Sequence, residues 1–454
     1  MSTQAVNASD QALRFLTAGS VDDGKSTLIG RLLFDSRALL ADQIGNLQAR
    51  GKAAGQTFGE SGLDFDLALL TDGLEAEREQ GITIDVAYRY FSTPQRKFII
   101  ADAPGHEQYT RNMVTAAAGS DAVVVLVDIT KLGFTGAQHS LTLLPQTRRH
   151  ALLAQLLRVP SIVFAVNKLD AVADPGAAFA AVSASLHEFA EAAGISVNAI
   201  VPISALQGSN VVLPWNTHWY SGPSLLQVLE GLPGGAERTQ SGGLRLPVQY
   251  VARGLPTPQL DAAQQQRTLW GRVAQGSVAV GDTVQVFPSR EQAVVVALRD
   301  VNGALVGGQI VAAGRSVGVV LDRQLDISRG DWVGTPGDMQ PVQRFNATLA
   351  WLDTEPATPG RKYLLRHGHR WVQGRLSSIH HRLDIHSLQA TPAHTLDCNE
   401  IAEVSFELQQ ALPLAPYAQQ RESGALIVVD PASHRTSGAV MVLDVQTQAD
   451  AVES

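Results

Sequence analysis

The sequence predicts a parallel α/β domain built around a phosphate-binding loop, followed by a region of antiparallel β-structure. Three observations predict it. Short apolar runs alternate with longer helical patterns through the first half of the chain, which is how a parallel sheet flanked by helices is written in sequence. The first of those runs leads into a glycine-rich loop that ends in Lys-Ser. Beyond about residue 240 helical periodicity nearly vanishes, and β-branched runs alternate with Gly, Asp and Pro turns, the texture of antiparallel sandwiches or barrels.

The first predicted strand, Phe15 to Ala18, enters Gly19-Ser20-Val21-Asp22-Asp23-Gly24-Lys25-Ser26, which fits G-x-x-x-x-G-K-[ST]. Glycines let consecutive backbone N–H groups turn inward around phosphates, Lys25 brings a point charge, and the Ser26 hydroxyl suits Mg²⁺; Thr27 extends the binding set. Leu28, Ile29, Leu32 and Leu33 then give the apolar spacing of a helix leaving the loop. The glycine-rich stretch from Arg50 to Gly62 reads as a loop. Further strands are predicted over Lys97 to Ala101, Ala122 to Val127, Ile162 to Val166 and Ile200 to Ile203. All but the Ala122 strand end at a nucleotide motif, and ligands of open α/β sheets bind beyond the carboxyl ends of the strands.

Asp102-Ala103-Pro104-Gly105-His106 follows the strand KFIIA. Asp102 is placed to hold Mg²⁺ through a water and the Gly105 N–H to touch a γ-phosphate, so that the segment senses whether that phosphate is present. Ala103 and Pro104 shape the backbone there. Gly81-Ile82-Thr83 supplies a second switch, with Thr83 as a Mg²⁺ ligand. His106, next to Gly105, is the candidate catalytic residue that orients the attacking water. Asn167-Lys168-Leu169-Asp170 reads the base: an Asp at this point accepts two hydrogen bonds from guanine, a pair of donors adenine does not offer. Ser204-Ala205-Leu206 would add a backbone N–H to guanine O6. The expected ligands are GTP and Mg²⁺.

The stretch Gly231 to Gly243 fits a linker, and Gly330 to Pro341 a seam between two β domains, giving domains at residues 1–240, 241–338 and 339–454. Runs at Thr283 to Phe287, Ala293 to Leu298, Arg315 to Val320 and Ala425 to Val429 are predicted strands. A net charge of −8 argues against a life on nucleic acid. Cys398 is the only cysteine, so an intramolecular disulfide is excluded and a cysteine-based zinc cluster nearly so. A polar first segment and the lack of ~18 consecutive apolar residues predict a cytoplasmic protein without membrane contact. From Arg361 to Arg382 six cationic and four histidine side chains occur with no acid. That run is either one solvated face of a barrel strand, with Tyr363, Leu365 and Trp371 on the other, or a surface for an acidic partner or anion.

Together GSVDDGKS, GITI, DAPGH, NKLD and SAL resemble the translation-factor class of GTPases, whose nucleotide domain is followed by two β-barrels. The resemblance implies an α/β P-loop GTPase domain followed by two antiparallel β-barrel domains. Residues 63 to 122, with ISALQGSNV and WYSGPSLLQVLE, are similar more narrowly to the GTPase large subunit of the bacterial heterodimeric sulfate adenylyltransferase. Asp23 stands where translation factors usually carry His, and Gln80 where elongation factors commonly have Arg. The resemblance implies a separate small catalytic subunit as partner, making adenosine 5′-phosphosulfate and pyrophosphate from ATP and sulfate while this chain hydrolyses GTP. By the same resemblance Val21 and Ile82 flank His106 as an apolar gate. Departures are Ala103 in place of the usual Thr and a longer loop from Thr130 to Pro145. A translation factor is disfavoured by the Asp pair and the acidic total, and a P-loop kinase by Asp170.

Overall fold

In the computed structural model the described residues are 12–20, 22–38, 67, 86–103, 112–113, 116–117, 119–134, 141–234, 242–252, 267–306, 310–384 and 389–446. The chain divides into two compact units at Gly234/Gly235.

The first unit holds a six-stranded sheet of β1 (Leu13–Ala18), β2 (Ala87–Ser92), β3 (Lys97–Asp102), β4 (Ala122–Asp128), β5 (Ser161–Asn167) and β6 (Val197–Pro202). Their order is β2-β3-β1-β4-β5-β6, parallel throughout except for the antiparallel edge pair β2–β3. Every residue of β4 and β5 is buried, as expected of central parallel strands covered on both faces, and this is why they read as unbroken apolar runs. Helices α1 (Lys25–Asp35), α2 (Pro145–Leu156), α3 (Pro175–Ala192) and α4 (Leu225–Gly231) accompany the sheet. Leu28, Ile29, Leu32 and Leu33 of α1 join Phe15, Phe98 and Val124 in one apolar core.

Five strands were expected here, and the structure has six among the described residues. β2 is an edge strand whose Tyr88 and Tyr90 are exposed, so it lacks the apolar run that marks its neighbours. Its turn is fixed from a distance: Arg96, almost fully buried, donates to the carbonyls of Glu230 and Leu232 at the end of α4. β1 lies between β3, which follows it, and β4, which continues the sheet the other way. Its carboxyl end is therefore the switch point where α/β sheets open a crevice.

The second unit is almost wholly β. β7 (Arg245–Pro247), β8 (Tyr250–Ala252), β9 (Thr268–Arg272), β10 (Ser277–Val278), β11 (Thr283–Phe287), β12 (Gln292–Arg299), β13 (Val311–Ala312), β14 (Ser316–Leu321) and β15 (Trp332–Gly334) build its first half. The main sheet runs β7-β15-β11-β12-β14-β9-β8. β7 and β8 are two halves of one stretch of chain, so the first half pairs with β15, the second with β9, and the sheet closes on itself around Leu246, Val286, Val295 and Val319.

The second half contains β16 (Val342–Trp351), β17 (Lys362–His367), β18 (Arg370–Leu383), β19 (Ala390–Thr391), β20 (Ile401–Leu412), β21 (Ala425–Val429) and β22 (Thr436–Gln446). β17 pairs with both β21 and β18, closing an antiparallel barrel of six strands that leaves no free edge. Phe345, Trp351, Tyr363, Leu365 and Phe406 fill it. The two halves touch around residue 330. Trp332 stacks on the buried His367 ring at 5.2 Å, and Arg370 Nη1 donates to Asp331 Oδ1 at 2.6 Å. Gly330 has φ +96°, and a Cβ there would lie 2.9 Å from the Arg370 backbone nitrogen, so both conformation and space require glycine.

The basic run 361–382 is a β17–β18 hairpin, and one expectation fails on it. Tyr363 and Leu365 are buried, but Trp371 is half exposed, because the turn at Gly368 places it opposite Arg366 on the outer face; Val372 points inward instead. Arg366 lies 5.5 Å over the Trp371 ring. Most of the arginines meet acids of the same unit: Arg361 with Glu355 and Asp430, Arg370 with Asp331, Arg375 with Glu407, Arg382 with Glu400. Apart from Arg370, which joins the two halves, these pairs balance the run internally at the surface.

Candidate functional site

The loop after β1 is held open by contacts that do not depend on a ligand. Asp22 and Gly24 both have positive φ, +63° and +94°. A Cβ on Gly24 would stand 2.5 Å from Asn167 Nδ2, so the glycine leaves room for the base-reading loop to approach. Ser20 is gripped from both sides: its N–H donates to Asp23 Oδ2 at 2.6 Å, and its carbonyl accepts from Lys25 Nζ at 2.8 Å. Lys25 Nζ also donates to the Gly19 carbonyl at 2.8 Å. An ammonium has three donors, so one remains for a phosphate oxygen. Burial lowers the Lys25 pKa from its ordinary value, and the nearby Asp102 and Asp23 oppose that loss.

Asn167, at the end of β5, ties three motifs together. Its Nδ2 donates to the Asp23 carbonyl at 2.8 Å, and its Oδ1 accepts from Ala205 N–H at 2.9 Å. The Ala205 N–H is thus engaged by Asn167, and Leu206 N–H, on a half-exposed residue, is the donor of this turn that has no partner among the described residues. From the opposite side Arg31 of α1 donates from Nε to the Ala205 carbonyl at 3.2 Å and from Nη2 to that of Leu206. Ser204 Oγ caps Gln207 N–H, which rounds the turn.

Lys168 sits in the left-handed region at φ +64°, and Asp170 follows it, exposed, in a short 3₁₀ turn over Leu169–Ala171. Nζ of Lys168 donates to the Asp22 carbonyl at 2.6 Å, lying across the phosphate loop. Asp102 ends β3 with its carboxylate buried, accepting from Thr17 Oγ1 at 3.4 Å. Val21, Gly81, Ile82, Thr83, Pro104, Gly105 and His106 lie outside the described residues.

One strand end had no motif assigned to it. Asp128, the last residue of β4, is buried, and its Oδ2 lies 2.7 Å from Lys168 Nζ, an ion pair by distance without hydrogen-bond angles. Lys131, three residues on, reaches Asp23 Oδ1 at 2.9 Å. Neither residue belongs to a recognisable motif. The available signal was an acid ending a fully apolar strand, since such a carboxylate needs a partner.

Hard oxygen donors fit Mg²⁺, and a cation shared with phosphates needs only one or two of them from protein. Ser26 at the start of α1 and the buried Asp102 provide that chemistry. No cluster of three or more His, Cys, Asp or Glu able to hold a metal alone occurs among the described residues.

A glycine-rich phosphate loop, an Asp at the end of the next parallel strand, N-K-x-D and S-A-L at successive strand ends, with closed antiparallel β-structure in the following unit, define a translation-factor-class P-loop GTPase. Residues 10–235 match the family model of the elongation factor Tu GTP binding domain, and residues 344–443 that of the GTP-eEF1A C-terminal domain-like family. "Sulfate adenylyltransferase subunit 1" of Laribacter hongkongensis is 43 % identical over 96 % of this chain and 86 % of its own. The protein of the same name from Shewanella woodyi is 40 % identical over 96 % of this chain and 88 % of its own. "Bifunctional enzyme CysN/CysC" of Mycobacterium tuberculosis is 44 % identical over 95 % of this chain and 67 % of its own. The chain belongs to the sulfate adenylyltransferase subunit 1 family, and it is a GTPase.

Proposed function

We propose that this chain is the regulatory GTPase subunit of a sulfate adenylyltransferase. Its hydrolysis of GTP drives a separate small catalytic subunit to form adenosine 5′-phosphosulfate and pyrophosphate from ATP and sulfate. The observation that carries this reading is the 43 % identity to a subunit 1 protein over 96 % of the chain, which runs through both compact units.

The residues divide the work. Gly19 to Thr27 wrap the phosphates, with Lys25 already anchored to two loop carbonyls and aimed by them. Asp170 accepts from guanine, while Asn167, Lys168 and Ser204 to Leu206 hold the base-reading loops against the phosphate loop. Ser26, Thr83 and Asp102 are the Mg²⁺ ligands in this reading; the ion, when bound, neutralises charge on the phosphate oxygens. His106 orients the attacking water, and Val21 with Ile82 screens it. Ala103, Pro104 and Gly105 carry the segment that follows the γ-phosphate. A phosphosulfate anhydride is less stable than its precursors, so a segment that closes on GTP and relaxes afterwards can bias the partner's equilibrium.

The domains of this reading are residues 1–240, 241–338 and 339–454. The lone, exposed Cys398 and the net charge of −8 support a cytoplasmic setting without a nucleic-acid partner. Among the described residues no helix is long and apolar enough to cross a membrane.

The test is to purify the chain with its small subunit and follow pyrophosphate release from ATP and sulfate. Release should rise with GTP and track GTP hydrolysis. Equal release with GTP omitted overturns the proposal.

A further inference from the structure

Asp23 of the phosphate loop and Asp128 behind it have fully buried side chains, and two lysines, Lys131 and Lys168, about one-third exposed, lie against them. Lys131 Nζ is 2.9 Å from Asp23 Oδ1 and 3.8 Å from Asp128 Oδ2; Lys168 Nζ is 2.7 Å from Asp128 Oδ2. The quartet sums to zero charge. Lys131 is held in place by a short 3₁₀ turn, Ile129–Leu132, whose first turn is capped by Asp128 accepting from Thr130 N–H at 2.9 Å.

A buried acid at Asp23 is an unusual choice beside a site for a polyanion. Uncompensated, it would repel the ligand and be costly to bury. Neutralised, it is useful, because its other oxygen fixes the Ser20 N–H at 2.6 Å while Lys25 fixes the Ser20 carbonyl. Lys131 therefore acts on the phosphate loop through Asp23.

Resting on the GTP reading above, we propose that Lys131 is a positioning residue for the phosphate site: its ammonium cancels the buried Asp23 carboxylate, allowing that carboxylate to brace the loop without opposing the triphosphate. Removing Lys131 alone makes the charge around the loop one unit more negative and leaves Lys25, the phosphate lysine, as a lysine still coupled to Asp23. Removing the Asp23 charge as well restores the balance to zero, with Asp128 facing Lys168.

The experiment measures GTP affinity by calorimetry with Mg²⁺ for the parent, Lys131→Gln, Lys131→Arg and the double variant Asp23→Asn with Lys131→Gln, each checked for an unchanged thermal midpoint without nucleotide. One uncompensated charge near a polyanion at an effective dielectric of about 20 should weaken Lys131→Gln roughly tenfold. Lys131→Arg should stay near the parent, and the double variant should bind GTP more tightly than Lys131→Gln alone. A purely structural role for Lys131 predicts the opposite order, with the double variant as weak or weaker, and that result overturns the proposal, as does parental affinity in Lys131→Gln. A parent that binds no GTP refutes the nucleotide reading itself, and this inference with it.

Discussion

Replacing Asn167 by Ala tests how the base-reading and phosphate loops are joined. The side chain is 2 % exposed and serves two backbone groups that water cannot easily reach, the Asp23 carbonyl at 2.8 Å and the Ala205 N–H at 2.9 Å. A buried polar group left unpaired costs about 1–3 kcal/mol, so two cost about 2–6 kcal/mol, less ~1 kcal/mol for the side-chain entropy no longer lost. Taking about 3 kcal/mol, and roughly 2–4 °C per kcal/mol for a unit of this size, the midpoint should fall by roughly 6–12 °C. Thermal melts of the intact chain by circular dichroism read this, and calorimetry reads guanine nucleotide affinity, which should fall as the two loops lose register. Asn167→Asp separates the halves: its carboxylate can still accept from Ala205 N–H but meets the Asp23 carbonyl with lone pairs, so it should also lose affinity. A midpoint within about 2 °C of the parent, with GTP affinity within roughly twofold, refutes the argument.

Asp170→Asn replaces an acceptor with a group that matches xanthine better than guanine, so nucleotide preference should move towards xanthine; an unchanged preference by competition binding removes Asp170 from base reading. His106→Ala should leave GTP binding intact and lower GTP hydrolysis by orders of magnitude, and undiminished turnover in the complex would exclude it from the mechanism. His367 is buried with its pKa lowered from 6.5 to about 4, mainly by desolvation, so it is neutral in the folded chain while the unfolded chain takes up a proton below pH 6.5. Its contribution is whole above pH 6.5 and is lost as the pH falls to about 4, a change of about 3 kcal/mol. Urea unfolding at stepped pH should therefore show a shallower acid slope for His367→Gln than for the parent, and identical slopes would contradict this.

How much could be read without coordinates depended on whether a feature was local. The strand ends at Ala18, Asp102, Asn167 and Pro202 fall within two residues of where the apolar runs predict them, because the last residues of all four strands are buried, even in β6 at the sheet edge, and the central β5 is buried throughout. β2 was missed because an edge strand with outward tyrosines carries no such run. Trp371 was assigned to the wrong face because alternation counted along the chain does not survive a hairpin turn; the cross-strand register, Arg366 against Trp371, decides it.

By itself the sequence determined that this is a P-loop nucleotide enzyme reading guanine, since each motif is a contiguous stretch whose backbone geometry and side-chain chemistry are set within a few residues. Tertiary structure alone decided what stands behind those motifs: Asp128 and Lys131 against the phosphate loop, and Arg31 under the Ala205 turn. These depend on which strand ends become neighbours, and a side chain's partner 100 residues away leaves no local trace.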